Sequence, residues 1–327
     1  MKKRAMGILM AVVLVLGAYG CGKQTQPTGE QEVEIDKDIT MYVHVKAGGA
    51  LDVRARVVAD YLSKELGVNV SVLNVTGSGG ATCMTQMKSQ PTSEYDLVLA
   101  ASSVFTATPA FSEVAYSMDD YTPLAAVDVE QFGLFVCPER SGIHNFNELM
   151  EYGKENEVIY GSGGIGNITH LTQAYLYHTL NISASTLAHD GAVEGITNCM
   201  GGHNVITMAG LETARSYVES GDITPVLSFS DEDYTGYDGY TVPSILELGG
   251  NEDNVYESLM AVYCLSSVDD AHANVLREAL RKVLSDPECQ KDLVEVGLIE
   301  TPEMTTEEME KYLSEEYETM KKIVDML

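Results

Sequence analysis

Three glycine-rich segments lie where the sequence changes from strand-forming to helix-forming residues: Gly48-Gly49, residues 77–80 (GSGG) and residues 161–166 (GSGGIG). Glycine lets other groups approach the backbone closely, and the first N–H groups of a helix carry partial positive charge. Such segments are suited to binding a carboxylate or a phosphate. One segment alone is more often a tight turn, but three at equivalent positions predict a ligand-binding cleft.

The third segment also satisfies part of several enzyme patterns. Residues 161–166 match GxGxxG, and Asp190 follows near the distance at which an acidic residue would contact a ribose, so an NAD-dependent enzyme is an alternative interpretation. A P-loop is excluded because Asn167 stands where the pattern requires Lys. A nucleophile elbow, GxSxG, is excluded because neither Ser162 nor Ser78 has a glycine two positions before it.

The composition is that of a globular protein with a strongly acidic surface. The chain has 327 residues, 45% of them hydrophobic, which is enough for two domains with their own cores. Without Lys2, Lys3 and Arg4, 17 basic residues remain against 49 acidic ones, a net charge of −32. This charge argues against nucleic acid as a partner and against binding to anionic lipid surfaces.

The cysteines and histidines show no metal-binding spacing. The six cysteines include no CxxC pair and the seven histidines no HExxH pattern, so the sequence predicts no metal site, and we expect no cofactor. Five cysteines remain once Cys21 is set aside. One disulfide is possible among them, but most are interpreted as small buried apolar residues.

The N-terminus has the features of an export signal. Residues 1–20 start with basic side chains and continue into an apolar run too short for an easy membrane span, which predicts a signal peptide. Cys21 at the expected cleavage point resembles the lipidated cysteine of bacterial lipoproteins, although Ala18 stands where those sequences usually have Leu. Ordinary cleavage beside a chance cysteine is the alternative. Residues 21–37 are polar and predict a flexible tether, so we expect an extracytoplasmic protein, lipid-anchored to the outer side of the cytoplasmic membrane or periplasmic.

Strand-like and helix-like segments alternate along the rest of the chain, which predicts an α/β fold with largely parallel sheets covered by helices. The predicted strands are residues 39–45, 68–75, 95–101, 132–138, 158–161, 184–189, 205–210, 224–229 and 259–266. The most clearly predicted helices are residues 51–66, 145–155, 170–180 and 305–327. The glycine-rich segments follow predicted strands, and ligands of open α/β sheets bind at the carboxyl ends of strands.

Four segments fall in register with one family pattern. Residues 46–80 correspond to PAGGxxDxxAR, LGxxVxVxN and PGxGG in turn, and residues 158–171 correspond to YGSxGxGxxxHL. Residues 95–103 and 188–210 carry two further pieces. On these segments the chain, from about residue 39 to its C-terminus, resembles the extracytoplasmic solute-binding proteins of tripartite tricarboxylate transporters, called TctC or Bug.

Four positions depart from the family pattern. Lys46 and Thr76 replace Pro, Asp190 replaces Lys, and Asn204 replaces Asp. A carboxylate at position 190 would repel an anionic ligand unless it points away from it. The other hypothesis is that Asp190 selects a ligand that carries an amino group.

The resemblance implies a two-lobed fold of the periplasmic-binding-protein type II, each lobe a mixed, mostly parallel sheet flanked by helices. One lobe would comprise residues 33–134 plus 244–327, and the other residues 135–243. It also implies a binding protein rather than an enzyme: family members capture small carboxylates, such as di- and tricarboxylic acids or amino acids, and deliver them to integral membrane transporter subunits. A ligand-sensing partner of a membrane receptor would share the same cleft and is a further alternative.

The resemblance also implies the residues that contact the ligand. In the first lobe they are Ala47, Gly48, Gly49, Ser78, Gly79, Ser102 and Ser103. In the second lobe they are Ser162, Gly163, Ile165, Gly166, Asn167, Gly191, Ala192 and Ala209. His170 either donates to the anion or only packs against the loop. Asp52 and Arg56, four residues apart at a helix start, are expected to pair with each other and to serve the structure.

Overall fold

The computed structural model describes residues 33–298 and 301–327. The strands are β1 (Ile39–Val43), β2 (Val70–Asn74), β3 (Leu97–Ala101), β4 (Tyr121–Val136), β5 (Val158–Ser162), β6 (Ala184–Ala188), β7 (Ile206–Gly210), β8 (Thr224–Ser228), β9 (Tyr234–Tyr237), β10 (Tyr240–Val242) and β11 (Glu257–Leu265). The helices are α1 (Ala50–Leu66), α2 (Ala81–Ser89), α3 (Ala107–Phe111), α4 (Pro138–Ser141), α5 (Phe146–Glu155), α6 (Ile168–Thr179), α7 (Ala192–Gly201), α8 (Leu211–Glu219), α9 (Asp270–Ser285), α10 (Pro287–Glu295) and α11 (Thr306–Met326). The predicted signal peptide, Cys21 and most of the predicted tether lie outside the described residues.

Among the described residues, nine strands form one sheet in the order β2-β1-β3-β11-β4-β7-β5-β6, with β8 also paired to β4, and β9 and β10 form a separate hairpin. β1 runs parallel to β2 and β3, and β5 runs parallel to β6 and β7. β11 is antiparallel to β3 and β4, and β4 is antiparallel to β7 and β8. The sheet is therefore mixed, with its parallel pairs in two separate groups.

The long strand β4 joins these two groups. Its residues 121–131 pair with β11, and its residues 132–136 pair with β7 and β8. We call the part of the sheet with β1, β2, β3 and β11 the first half, and the part with β5, β6, β7 and β8 the second half. The predicted lobe boundaries, which cut the chain after residues 134 and 243, stay a prediction.

Each half buries apolar residues on both faces of its sheet. In β1, Met41 and Val43 belong to a core shared with α1, α9 and α10, whereas Tyr42 belongs to a core shared with α2 and the beginning of α11. This alternation follows from the two-residue period of a strand. The second half packs α5 and α6 on one face and α7 and α8 on the other.

Helix α11 packs against both halves. Met309 and Leu313 near its beginning belong to the core of the first half, and Met320 and Ile323 near its end belong to the core of the second half. It has 21 residues and an acidic composition. None of the described helices is long and apolar enough to cross a bilayer.

The helices that follow the glycine-rich segments begin in different ways. Asn167 caps α6, because its side-chain oxygen accepts a hydrogen bond from the N–H of Thr169 at 2.9 Å. Gly49 and Gly191 precede α1 and α7, and neither helix has a side-chain cap of this kind. The first N–H groups of α1 and α7 therefore depend on other acceptors.

All nine predicted strands are present, but the first part of β4 was not predicted. Its sequence contains Pro123 and the charged Asp128 and Glu130, which interrupt the apolar pattern. Asp128 is nevertheless buried, because it forms a 2.9 Å ion pair with the equally buried Arg54 of α1. A charge neutralised by a partner far along the chain cannot be recognised from local periodicity. The hairpin of β9 and β10 was also not predicted.

The cysteines of the described residues are all buried and free: Cys83, Cys137, Cys199, Cys264 and Cys289. This agrees with their interpretation as small apolar residues. Burial raises the pKa of Cys83 and Cys199 to about 12, so these thiols stay protonated.

Candidate glycine-loop binding site

The loop between β5 and α6 holds its amide groups against the start of its own helix. The N–H of Gly163 donates to Oγ1 of Thr169 at 2.9 Å, and the N–H of Gly164 donates to Oγ of Ser162 at 3.3 Å. Thr169 is itself held by the side chain of Asn167. The acceptors are neutral hydroxyl groups, so they can be exchanged for another acceptor without leaving a buried charge unpaired.

The end of the same loop is fixed by His170. The N–H of Gly166 donates to Nδ1 of His170 at 3.3 Å, and burial lowers the pKa of this imidazole. His170 is therefore neutral and accepts a hydrogen bond from the loop. Its ring stacks on Tyr160 with the ring centroids 6.2 Å apart. In this structure His170 packs and orders the loop.

The loop between β1 and α1 holds its amides differently. The N–H of Gly48 donates to a carboxylate oxygen of Asp52 at 2.8 Å, and the N–H of Gly49 donates to the carbonyl of Lys46 at 3.2 Å. Arg56 forms two further hydrogen bonds with Asp52, at 2.9 and 3.0 Å. The predicted pairing of Asp52 with Arg56 is thus present. The N–H of Gly48, which was expected to contact a ligand, donates to Asp52 instead.

Asp52 is charged in this setting. Burial by itself raises the pKa of its carboxyl group, but hydrogen bonds from Arg56, from the N–H of Gly48 and from Asn74 outweigh that effect and hold the pKa below the ordinary value. The amide of Asn74 reaches Asp52 at 2.8 Å and the carbonyl of Val45 at 3.0 Å. The end of β2 is tied in this way to the loop after β1.

The second glycine segment lies against the end of β3 and the beginning of α3. The carbonyl of Gly79 accepts a hydrogen bond from Oγ1 of Thr108 at 2.9 Å. A Cβ on Gly80 would lie 2.5 Å from Val104, so the segment packs too closely there for any other residue. Ser102 is fully buried, and its hydroxyl lies 3.4 Å from that of Ser258, away from solvent.

Two contacts connect the glycine-rich loops of the two halves. Lys46, two residues before Gly48, forms an exposed ion pair with Asp190, which lies between β6 and α7. Phe111, at the end of α3, packs against Gly166 and has its ring centroid 6.4 Å from that of His170. The loops after β1 and β6, and the segment after β3 and the loop after β5, therefore meet face to face.

Asp190 is engaged by a partner within the chain. Its pKa lies below the ordinary value, because Lys46 donates a hydrogen bond to its carboxylate and adds a favourable charge. The N–H of Asp190 donates to Glu194 at 2.8 Å, and the N–H of Gly191 donates to Nδ1 of His189 at 3.3 Å. The repulsion expected between Asp190 and an anion is reduced by Lys46.

The predicted ligand contacts differ in exposure. The exposed ones are Ala47, Gly48, Ser78, Gly79, Gly163, Ile165 and Gly191. Those that are half-buried are Gly49, Asn167, His170 and Ala192. Those that are buried are Ser102, Ser103, Ser162, Gly166 and Ala209. The exposed set belongs to the loops after β1, β2, β5 and β6. The buried set includes Gly166 of the loop after β5 and residues in or directly after β3, β5 and β7.

A separate cavity of about 910 Å³ lies beside α1, α8 and the end of α10. It contains none of the predicted contact residues, although Ala50 in its wall follows Gly49 directly. The acidic side chains of the wall are Glu212, Glu219, Asp231, Glu232, Asp233 and Glu295, against the basic Arg54 and Arg215. This excess of negative charge makes the cavity a poor site for a dicarboxylate. Within the described part of the chain, no cluster of His, Cys, Asp and Glu could hold a metal ion.

Three residues that shape the loops were not singled out from the sequence: His44, Phe111 and Thr169. His44 ends the segment before the first glycine loop, and its ring lies against Gly80. The only sequence signal for Thr169 is its place two residues after the capping Asn167, where a hydroxyl commonly supports a helix start. The position of Phe111 opposite Gly166 depends on packing between distant segments and has no local signal.

The family model described as "Tripartite tricarboxylate transporter family receptor" matches residues 54–327. A UPF0065 protein from the gbd 5' region of Cupriavidus necator is 26% identical over 89% of this chain and 88% of that protein. These matches agree with the resemblance carried by the glycine-rich segments.

Solved structures share the fold. The periplasmic binding protein BugD superposes with a TM-score of 0.78 at 20% identity, covering 89% of this chain and 97% of that one. MatC from Rhodopseudomonas palustris, solved with bound malate, has a TM-score of 0.78 at 17% identity over 88% of this chain and 99% of that one. The predicted fold of the periplasmic-binding-protein type is confirmed, and since the family model covers most of its length, the chain belongs to the tripartite tricarboxylate transporter receptor (TctC) family.

Proposed function

We propose that this protein captures a small carboxylate, either a di- or tricarboxylate or an amino acid, between its two halves and delivers it to integral membrane subunits of a transporter. The observation that carries the proposal is the meeting of the glycine-rich loops, brought together by Lys46 with Asp190 and by Phe111 with Gly166. MatC, which shares the fold, was solved with the dicarboxylate malate.

The loop before α6 is the proposed main contact for the carboxylate. A ligand oxygen would replace Thr169 or Ser162 as acceptor for the amides of Gly163 and Gly164, with the helix start adding partial positive charge. Ile165 lies at the tip of this loop with its side chain 73% exposed. Backbone donors act on a bound carboxylate at short range. Salt screens the repulsion from surface carboxylates that lie more than about 8–10 Å away.

The remaining predicted contacts complete the proposed site. Ala47, Gly48, Gly49, Ser78 and Gly79 would line the wall of the first half, and Asn167, Gly191 and Ala192 that of the second. Ser102, Ser103 and Ala209 lie deeper and would shape the floor. The proposed lobes are residues 33–134 plus 244–327 and residues 135–243, closing by a hinge motion around the ligand.

We further propose that the chain carries out no reaction and is held at the membrane through a lipid on Cys21, after removal of residues 1–20. The NAD-dependent alternative needs Asp190 for a ribose, and this carboxylate is paired with Lys46. Replacing Cys21 by Ser is expected to move the protein from the membrane fraction to the soluble fraction of cells. Retention of Cys21→Ser in the membrane fraction would contradict lipid anchoring.

Thermal unfolding in the presence of mono-, di- and tricarboxylates, amino acids and nucleotides tests the binding function. A ligand at about one hundred times its dissociation constant stabilises the folded state by about 2.7 kcal/mol, which is a measurable shift. We expect a shift with at least one carboxylate and none with NAD. A shift with NAD alone would favour the enzyme.

Two matched surface variants locate the site. Ile165→Asp places a negative charge at the loop before α6 and is expected to weaken carboxylate binding at least about tenfold by repulsion. Val294→Asp places the same charge on a similarly exposed side chain beside the acidic cavity, and it should leave the affinity unchanged. If Val294→Asp weakens binding and Ile165→Asp does not, the ligand binds in the acidic cavity instead.

A further inference from the structure

His44 follows β1 directly and lies where three loop segments meet. The N–H of Ala101, at the end of β3, donates to Nε2 of His44 at 3.3 Å. A Cβ placed on Gly80 would lie 3.3 Å from Cγ and Nδ1 of the same ring. His44 is half-buried as a residue and precedes the loop Ala47–Gly49 by three positions. The ring is thus held by the first half at the carboxyl ends of β1 and β3.

The bond from Ala101 fixes the tautomer of His44. Because Nε2 accepts a hydrogen bond from a backbone N–H, Nε2 carries no proton, and the proton of the neutral ring is on Nδ1. No other residue among residues 33–298 and 301–327 forms a hydrogen bond with Nδ1. The ring therefore offers one N–H donor of fixed direction that no other described residue accepts.

The surroundings keep this imidazole neutral. Burial lowers the pKa of His44 to about 4. The segments packed against it, residues 77–80 and 101–104, carry no ionisable side chain. The nearest charged residues in its own loop, Lys46 and Asp52, are paired with Asp190 and Arg56. No nearby carboxylate is therefore available to favour the protonated ring.

We infer that His44 is a ligand-contacting residue that donates one hydrogen bond from Nδ1 to a carboxylate oxygen held in the cleft. The inference rests on the proposed function and deepens it. A neutral donor from the first half complements the amides of the second half, so that each half contacts the anion without a basic side chain. Such a donor is directional and selects the position of an acceptor as well as its charge.

The test uses calorimetric titration of the full chain with the carboxylate that gives the largest thermal shift. His44→Phe keeps an aromatic ring but removes the donor, and it is expected to weaken binding about 10- to 100-fold, as for a lost hydrogen bond to a charged group. His44→Gln retains an acceptor and a donor and should stay within about threefold of wild type. His144→Phe, an exposed histidine before α5, is the matched control and should not change the affinity.

The outcomes separate this inference from the proposed function. If wild type binds a carboxylate and His44→Phe binds it equally well, the inference is wrong while the function stands. If wild type binds no carboxylate, the function itself fails. Because His44→Phe can disturb packing near Gly80, ¹⁵N spectra of labelled histidine in the wild type give an independent measurement, with the His44 signals identified by their loss in His44→Gln.

In those spectra we expect the free protein to carry the His44 proton on Nδ1, and the Nδ1 signal to move when ligand is added. A proton on Nε2, or a signal unaffected by saturating ligand, would overturn the inference. An affinity that rises as the pH falls from about 8 to 6, and that no longer does so in His44→Gln, would show that the charged imidazolium binds instead.

Discussion

The loop after β1 and the loop after β5 both present glycine amides at the start of a helix, but they satisfy those amides with different groups. The N–H of Gly48 is bound by the carboxylate of Asp52, which Arg56 and Asn74 hold in place. The N–H of Gly163 is bound by the hydroxyl of Thr169. The loop after β1 thus has a charged internal acceptor, Asp52, whereas the loop after β5 has a neutral one, Thr169.

This difference assigns distinct roles to the two loops. A ligand that took the N–H of Gly48 would remove one hydrogen bond from a buried carboxylate that keeps Arg56 and Asn74, which costs about 1.5–3 kcal/mol. A ligand that displaced Thr169 would release only a hydroxyl, which costs about 1 kcal/mol. The loop after β5 is therefore suited to exchange, and the loop after β1 to support. The following predictions test this contrast, from the largest expected effect to the smallest.

Gly166→Ala should nearly abolish carboxylate binding. Gly166 has φ +79°, and a Cβ there would lie 2.3 Å from the ring of Phe111. The substitution strains the backbone and displaces the ring that connects the halves, so we expect affinity to fall about 100-fold, equivalent to about 2.7 kcal/mol. Titration calorimetry measures this loss.

Gly142→Ala is the matched control for that variant. Gly142 has φ +70° with no atom within 4 Å of the added Cβ, so it carries similar backbone strain away from the loops. It should lower the free energy of unfolding by about 1 kcal/mol and leave binding intact. Equal affinities for the two variants would show that the loop after β5 does not contact the ligand.

Asp52→Asn should mainly affect stability. The carboxylate is 1% exposed and accepts hydrogen bonds from Gly48, Arg56 and Asn74, so we expect the free energy of unfolding to fall by about 2–3 kcal/mol, measured by urea denaturation. Among molecules that remain folded, affinity should change less than about threefold. A large loss of affinity without loss of stability would reverse the roles of the two loops.

Asp52→Asn should also change how the free energy of unfolding depends on pH in the acid range. The pKa of Asp52 is lower in the folded chain than its ordinary value of 3.8, so its contribution is fully present above that value and is lost as the pH falls through the folded value. The wild type should therefore lose stability in this acid range, and Asp52→Asn should lose less. Denaturation curves at about pH 7 and pH 3 provide the comparison.

Thr169→Val should have a smaller effect, and it should strengthen carboxylate binding rather than weaken it. It removes the hydroxyl that competes for the N–H of Gly163, so the ligand no longer has to displace an internal acceptor. We expect affinity to rise about two- to fivefold and stability to fall by less than about 1 kcal/mol. Weaker binding in Thr169→Val would mean that the hydroxyl contacts the ligand directly.

Breaking the ion pair of Lys46 and Asp190 should have the smallest effect. Both side chains are more than half exposed, so a double-mutant cycle with Ala at each position should give a coupling of no more than about 0.5 kcal/mol that disappears at high salt. A preference of the wild type for amino acids over their deaminated analogues, lost in Asp190→Ala, would instead support a role in selection. Titrations of the four proteins decide between these roles.

The sequence predicted the elements that carry the site better than it predicted the contacts within the site. Runs such as residues 158–161 and 205–210 are mostly apolar and end in a glycine, so they identify strands locally. The pairing of Asp52 with Arg56 was also predictable, because it depends only on a four-residue spacing along a helix. The family resemblance supplied the overall architecture.

The contacts that the sequence did not predict join residues that are far apart in the chain. Lys46 and Asp190 are separated by 144 positions, and nothing local indicates that these two charges meet. The burial of Asp128 depends on Arg54 in another element, and the inward direction of the Ser102 hydroxyl depends on Ser258. Local patterns record propensity and periodicity, whereas these contacts follow from how the strands are ordered in the sheet.

Helix α11 has a practical consequence for experiments on this protein. Its two ends are embedded in different cores, with Leu313 in the first half and Ile323 in the second. In the proposed hinge motion, rotation of one half against the other would bend this helix or separate one of its ends from its core, and that work would add to the free energy of opening. An affinity tag or a truncation at the C-terminus would therefore alter the rate of ligand release without contacting the ligand.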